Sequence, residues 1–147
     1  SGYIINSYID LVKRKASDDV CISNLYGFAA LFENEELRPE IISNVFGDDA
    51  VNRNFLIIPI ESQNGTIRNS SVSAQSNCHV SLVMVDKQAQ TVRLIDSCKS
   101  QYTEAQEQAF YQFGKKVAAA VYGDETSMND FAILGKLTYK LFFLLIK

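Results

Sequence analysis

The sequence is poor in the residues that build several common kinds of site. It has a single histidine, which speaks against a histidine-rich metal centre. Its three cysteines are an odd number without metal-type spacing, which fits a reducing compartment better than a disulfide framework. Lysine and arginine number 14 against 17 acidic residues, and a net charge of -3 argues against a nucleic-acid binder, which needs a concentrated basic face. We therefore expect no metal, no cofactor and no nucleic acid, and an intracellular location in cytoplasm or nucleus, unless the protein is an effector delivered into a host cell.

Long hydrophobic runs and targeting signals are also missing. The apolar stretch 141–146 is far too short to span a bilayer, so we expect no membrane contact and interpret the stretch as the buried end of a helix or as a helix cut short. No secretory signal is visible. A chain of 147 residues fits one domain, 1–147, and can bury a core without disulfides. Because the sequence begins with Ser1 and not with methionine, we interpret it as a fragment or a processed product. We also expect the protein to be a monomer.

Hydrophobic periodicity predicts an alternation of helices and strands. Apolar residues at helical spacing predict helices over 3–16, 25–32, 39–46 and 103–122. Short apolar or alternating runs predict strands over 20–23, 55–60, 79–85 and 91–95. A polar loop is predicted over 61–77, and the apolar end 131–147 fits a strand followed by a helix. This order predicts an α+β domain in which helices pack on a mainly antiparallel central sheet.

The strongest functional signal is the pairing of His79 with Asp96. His79 opens a strand just after the polar loop, a position at the edge of a cleft, and a neutral imidazole there can act as a general base. If the hairpin turns near residue 88, Asp96 lies almost directly opposite His79. A carboxylate beside an imidazole fixes its tautomer and stabilises its charged form. Taken singly, the two residues have plain alternatives, a surface histidine and a turn-capping aspartate. Together they predict a catalytic base, His79, and its orienting partner, Asp96.

Motifs along residues 3–100 resemble one known family. The chain has FLIIPI at 55–60, HVSLVMVD at 79–86 and VRLIDS at 92–97. These are similar to the "IPI" strand, the "HWSLVVID" strand and the "YDS" strand end of the ubiquitin-like-protein-specific cysteine proteases (the Ulp/SENP type of the adenain-like clan, in the papain-like superfamily). The stretch IINSYIDL at 4–11 resembles the family's "IINFYLNLL" helix, and VCISN at 20–24 resembles the segment that follows it.

This resemblance implies a fold and an activity. The fold would be the papain-like cysteine-protease fold, with helices on a mainly antiparallel central sheet. The reaction would be hydrolysis after the C-terminal Gly-Gly of SUMO, NEDD8 or ubiquitin, in which a thiolate attacks the carbonyl and forms an acyl-enzyme. In this family His79 would be the general base and Asp96 its orienter. The implied partner is a ubiquitin-like modifier or its conjugates.

The sequence departs from the family at two places. Val80 stands where the family has a tryptophan that walls the channel over the Gly-Gly tail. The family's nucleophile lies downstream of the aspartate in an Asp-Cys-Gly motif, a few residues after a glutamine that serves the oxyanion hole. No cysteine follows Cys98, and the best local match, within 129–136, puts Leu134 in the nucleophile's place. We therefore expect a domain that lacks or has diverged in this segment, or a sequence from which truncation or a gene-model error removed it. The alternative is an inactive pseudo-protease that binds a ubiquitin-like protein.

The remaining cysteines offer a third alternative. Cys21 precedes His79 and Asp96 in the chain order of papain-like hydrolases, and a thiol at a helix N-terminus would have a lowered pKa. We prefer to interpret Cys21 as a buried structural residue in a strand. Cys78 and Cys98 are predicted to be bystanders. Strand alternation turns Cys78 to the face opposite His79, and Cys98 lies beyond Asp96 on the wrong side for attack.

Overall fold

A computed structural model describes residues 2–23, 38–67, 79–123 and 129–132 of the chain. The helices are α1 (Gly2–Lys15), α2 (Arg38–Phe46) and α3 (Glu104–Tyr122). The strands are β1 (Val20–Ile22), β2 (Phe55–Gln63), β3 (Thr66–Ile67), β4 (His79–Asp86), β5 (Thr91–Ile95) and β6 (Asn129–Ala132). The predicted helix 25–32, most of the predicted loop 61–77 and the predicted apolar end beyond residue 132 lie outside the described residues. No helix in the described ranges is long and apolar enough to cross a membrane.

The strands form one mixed sheet in the order β1-β2-β4-β5-β6, with β3 paired to β2. The central pairs β2–β4 and β4–β5 are antiparallel, as is the short β2–β3 pair. The pairs at the two ends, β1–β2 and β5–β6, are parallel. The α+β prediction agrees with this mixed α/β architecture, and the predicted antiparallel character holds for the centre of the sheet.

Helices cover both faces of the sheet, and this explains the continuous apolar run in β2. Alternate residues of β2, β4 and β5 face α2 and α3 and form one core with Leu56, Ile58, Val83, Leu94 and Phe110. The other face packs against α1, in a second cluster with Ile9, Ile57, Met84 and Ile95. Each large apolar side chain fully buried in this way contributes about 1.5–3 kcal/mol. Strands covered on both faces carry apolar residues at successive positions, because neither face meets water.

Helix α3 lies close against the central strands, and local chemistry sets its ends. Thr103 caps its N-terminus in a capping box with Gln106. Gly123, at φ 107°, follows its last residue and ends it. At Gly114, an added Cβ would lie 2.4 Å from Cγ1 of Val92, so only glycine lets the helix approach the sheet this closely. The predicted helix 103–122 is therefore confirmed to within one residue.

The region predicted as a polar loop begins with a hairpin instead. Strand β2 continues to Gln63, and Asn64 and Gly65 turn the chain into β3. Both turn residues have positive φ, 50° and 81°, which is the conformation that an Asn-Gly hairpin turn requires. The prediction was wrong over 61–67 because polar composition outweighed the Asn-Gly signal.

Candidate active site

His79 and Asp96 lie in contact on neighbouring strands. Nε2 of His79 is 2.7 Å from Oδ1 of Asp96. His79 is the first residue of β4, and Asp96 directly follows β5. Strand alternation places both side chains on the sheet face that Val83 and Leu94 present to α3. The side chain of His79 is 36% exposed and that of Asp96 is 0% exposed, so the imidazole reaches solvent while the carboxylate is enclosed.

The strand register behind this contact differs from the predicted one. Leu82 pairs with Ile95, and the same register continued by one position sets Asp96 opposite Ser81 and not opposite His79. The predicted direct pairing was therefore wrong by two residues. The two side chains still meet, because diagonal neighbours on one face of an antiparallel pair are within reach of a long side chain.

Asp96 accepts hydrogen bonds from three further donors besides His79. The hydroxyl groups of Ser81 and Tyr102 donate to its Oδ2, the latter at 2.6 Å, and the backbone N–H of Cys98 donates to its Oδ1 at 2.7 Å. Burial alone raises the pKa of Asp96, but the hydrogen bonds from Ser81, Tyr102, Cys98 and His79 outweigh it and lower that pKa below its ordinary value. Asp96 is therefore a carboxylate at neutral pH.

Tyr102 anchors this network to the helix layer. Its ring stacks on Phe110 of α3, with centroids 5.5 Å apart. Burial and the hydrogen bond to Asp96 raise the pKa of Tyr102 to about 12, so the phenol keeps its proton and remains a donor. Neither Tyr102 nor Ser81 was recognised in the sequence. Ser81 carries a usable signal, because it lies two residues after His79 on the same strand face.

The arrangement fixes which imidazole nitrogen can act as a base. An ionised Asp96 accepts the hydrogen bond from Nε2–H of His79, so the lone pair belongs to Nδ1. A proton taken up at Nδ1 creates an imidazolium that the adjacent carboxylate stabilises. The pair therefore has the chemistry of a general base and its orienting partner.

A cleft of about 360 Å³ opens beside the imidazole. Its lining residues are Asn64, Gly65, His79, Cys98, Gln101 and Tyr102. The β2–β3 turn forms one wall and is tied to α3, because Nε2 of Gln106 donates to the backbone oxygen of Asn64 at 3.0 Å. An added Cβ at Gly65 would lie 2.7 Å from the side chain of Gln106, so the turn and the helix leave no space there.

Cys98 lies inside this site, contrary to its prediction as a bystander. Its sulfur is within 4.8 Å of a ring nitrogen of His79 and of a carboxylate oxygen of Asp96. The chain turns back after Asp96, since the carboxylate binds the N–H of the residue two positions on, as in an Asx turn. This local turn brings Cys98 to the cleft that His79 lines.

Cys21 lies at the opposite end of the sheet. It pairs with Leu56 of β2, whereas His79 pairs with Ser62, six positions further along the same strand. That separation corresponds to roughly 20 Å. The thiol of Cys21 donates to the backbone oxygen of Phe46 at 2.9 Å, and burial raises the pKa of Cys21. The alternative of a hydrolase that uses Cys21 with His79 is therefore wrong, and the structural interpretation of Cys21 fits its place in β1.

Other residues singled out in the sequence are distributed as follows. Val80 turns away from the cleft and packs against the cluster on the α1 face. The residue at the family's tryptophan position therefore does not wall the cleft. Cys78 and Leu134 lie outside the described residues.

No protein-family model matches the chain, and no curated protein matches it either. The likeness to the ubiquitin-like-protein-specific proteases therefore rests on the motifs around His79 and Asp96 and on the upstream helix and strand motifs.

Proposed function

We propose that this domain is a cysteine-type peptidase of the Ulp type, which removes or processes a ubiquitin-like modifier at its C-terminal Gly-Gly. The observation that carries the proposal is the 2.7 Å contact between Nε2 of His79 and Oδ1 of Asp96 beside an open cleft. The motifs around the same two residues supply the substrate class, SUMO, NEDD8 or ubiquitin. A papain-like fold, with this pair on adjacent central strands, belongs to the same proposal.

The proposed reaction uses His79 twice. Nδ1 of His79 takes the proton of the attacking thiol, and the thiolate adds to the carbonyl carbon of the terminal glycine. The imidazolium, stabilised by Asp96, then gives its proton to the leaving amine as the C–N bond breaks. Water attacks the resulting thioester with the neutral imidazole again as base, which releases the modifier's carboxylate and restores the thiol. Asn64 and Gln101 line the cleft, and their side-chain amides are the kind of donor that would stabilise the oxyanion.

For an active enzyme, Cys98 is the thiol that the geometry favours. It is the cysteine nearest to His79 within the described residues, at a separation of up to 4.8 Å between the sulfur and a ring nitrogen. This separation is longer than a thiol–imidazole hydrogen bond and would have to shorten when substrate binds, as catalytic contacts do in many enzymes. Cys98 would then replace the downstream cysteine that the family uses.

Electrophilic probes test this proposal directly. SUMO, NEDD8 and ubiquitin, each with a C-terminal vinyl sulfone, are incubated with the purified chain, and covalent adducts are resolved by mass. We expect one of them to label the protein, with labelling lost in Cys98→Ser and in His79→Gln. The matched controls Cys21→Ser and Cys78→Ser should label as the parent does. Labelling that survives Cys98→Ser would contradict the assignment of the thiol.

A second candidate is an inactive module that binds a ubiquitin-like protein. The residues at 129–136 favour it, because the best local match to the family's Asp-Cys-Gly motif has Leu134 in the nucleophile's place. This candidate predicts no covalent adduct with any of the three probes but measurable binding of the unmodified modifier by calorimetry. Loss of binding in a variant that fills the cleft from its exposed rim, Gln101→Trp, would place the contact at the same site. Neither labelling nor binding with any modifier would contradict both candidates.

A further inference from the structure

Three metal-ligating side chains of different chemistry meet at the cleft. A ring nitrogen of His79, a carboxylate oxygen of Asp96 and the sulfur of Cys98 all lie within 4.8 Å of one another. His79 and Cys98 are partly exposed and line the cleft, so an ion from solvent can reach them, and the carboxylate of Asp96, whose side chain is 0% exposed, lies in contact with His79. Imidazole, thiolate and carboxylate are the ligand types that zinc and its transition-metal neighbours prefer.

We propose that His79, Asp96 and Cys98 bind one divalent transition-metal ion of the zinc class. The sequence did not suggest this site, because a lone histidine and scattered cysteines show no metal-type spacing. The site arises because the hairpin places Asp96 beside His79 and the turn after Asp96 brings back Cys98.

The spacing of the ligand atoms fits such an ion after small shifts, in which the 2.7 Å between Nε2 of His79 and Oδ1 of Asp96 opens by about 0.6 Å. Zinc binds nitrogen and oxygen at about 2.0–2.2 Å and sulfur at about 2.3 Å, so ligands on a tetrahedron lie about 3.3–3.8 Å apart. The widest separation here must close by about 1 Å. His79 is the first residue of its strand and Cys98 lies in a turn, so both side chains can move by this amount. Binding takes up the thiolate of Cys98, whose proton goes to water, and the lone pair of Nε2 of His79, whose proton moves to Nδ1 as the tautomer changes.

The surroundings supply the two further features that metal sites use. Ser81 and Tyr102 hold Asp96 by hydrogen bonds to Oδ2, so the carboxylate is already oriented before an ion arrives. The cleft of about 360 Å³ borders His79 and Cys98 and leaves room for a water molecule as fourth ligand. Such an ion would bind His79, the general base of the proposed peptidase, so zinc would inhibit that reaction. Metal binding itself does not depend on the peptidase proposal.

Cobalt is the spectroscopic probe for this site. The full chain is treated with a chelator, desalted and titrated with Co²⁺, and absorbance is followed in the near ultraviolet and the visible range. We expect a thiolate-to-cobalt charge-transfer band that saturates at one ion per chain and disappears when Zn²⁺ is added. Absence of this band at stoichiometric cobalt would overturn the proposal.

The chain offers matched cysteine controls. Cys98→Ser should abolish the charge-transfer band, whereas Cys21→Ser and Cys78→Ser should keep it. Tyr102→Phe, which loosens the orientation of Asp96, should weaken cobalt affinity by about tenfold. A band that survives Cys98→Ser, or one that is lost in Cys78→Ser, would overturn the proposed ligand set.

A measurement on the unmodified protein keeps the test independent of how the variants fold. The folded chain is alkylated with iodoacetamide, with and without Zn²⁺, and digested with trypsin. The three cysteines fall in separate peptides, 16–53, 69–87 and 94–99. Zn²⁺ should slow alkylation of the 94–99 peptide by at least tenfold and leave the other two rates unchanged. Equal rates with and without Zn²⁺ would contradict the proposal.

The outcomes for the two proposals are distinguishable. Cobalt binding without probe labelling would contradict only the peptidase proposal. Probe labelling without cobalt binding would contradict only the proposed metal site.

Discussion

Near the two ends of β2 lie two clefts that each border a cysteine, but within the described residues only the cysteine at the end of β2 near Ser62 has an imidazole and a carboxylate beside it. Near the start of β2, Cys21 borders a cleft of about 450 Å³ and donates its thiol hydrogen to the backbone oxygen of Phe46. At the other end, Cys98 borders a smaller cleft together with His79, and Asp96 lies directly behind them. On the proposal that a cysteine acts with His79, the neighbours of each cysteine, and not its order in the chain, therefore favour Cys98 over Cys21.

The polar partners explain why the ends differ. The Cys21 thiol is paired with a neutral carbonyl, and burial raises its pKa, so it stays protonated. Around Asp96, four donors converge on one carboxylate, which stays ionised despite its burial. A network of this kind is costly to leave half satisfied, because each buried donor without its acceptor loses stability. We expect the polar end to respond more sharply than the Cys21 end to removal of a single group.

The largest effect is expected from Asp96→Ala. It removes the common acceptor of Ser81, Tyr102, His79 and the Cys98 N–H, and unsatisfied buried donors cost about 1–3 kcal/mol each, so we expect a loss of about 3 kcal/mol. Urea unfolding followed by circular dichroism measures it. The matched control is Asp18→Ala, in an exposed turn near β1, with an expected change below about 0.5 kcal/mol. Equal losses in the two variants would show that the Asp96 network adds no stability.

Thiol reactivity should separate the two ends by about tenfold or more. In the folded protein with chelator present, Cys98 should react with iodoacetamide faster than Cys21, because burial raises the pKa of Cys21 and its hydrogen bond holds the thiol. Mass spectrometry of the tryptic peptides gives both rates in one sample. In denaturant the two rates should converge. Faster modification of Cys21 in the folded chain would reverse the comparison.

A pair of tyrosines gives the smallest but sharpest comparison. Tyr102→Phe removes a donor to Asp96, and Tyr122→Phe removes a donor to the backbone oxygen of Arg53, so each should cost about 1 kcal/mol at neutral pH. The pKa of Asp96 is lower in the folded chain than in the unfolded chain, where it is about 3.9, so the ionised carboxylate stabilises the fold at any pH above that value. This stability is lost as the pH falls through the pKa of the folded chain. The cost of Tyr102→Phe should therefore shrink below about pH 4, whereas that of Tyr122→Phe should stay constant. Parallel pH profiles of unfolding would contradict the role of Tyr102.

Local patterns in the sequence predict much of this fold. The bounds of β5 are those predicted, and β4 is one residue longer, because apolar alternation and a polar turn define that hairpin. Helix α3 follows from its apolar stripe and ends at a glycine. The β2–β3 hairpin escaped prediction because its paired segments, 62–63 and 66–67, are short and mostly polar, although Asn64 and Gly65 carry a strong turn signal.

The candidate site was predicted only in part. The spacing in the sequence related His79 to Asp96. The predicted register was wrong by two residues, but the two side chains still meet as diagonal neighbours. Cys98 was misplaced because an Asx-type turn reverses the chain after Asp96, which strand geometry does not reveal. Tyr102 reaches Asp96 through the short 3-10 turn Lys99–Gln101, and no periodic pattern signals such a contact.

The tautomer of His79 tests most directly whether Asp96 orients a general base. Because the chain has one histidine, the imidazole nitrogen signals in a ¹⁵N NMR spectrum need no assignment to a residue, and only Nδ1 and Nε2 have to be told apart. For the neutral ring we predict the tautomer with its proton on Nε2, since Asp96 accepts that hydrogen bond, and a shift toward the other tautomer in Asp96→Asn. A neutral ring that carries its proton on Nδ1, or a tautomer that Asp96→Asn leaves unchanged, would contradict the orienting role of Asp96.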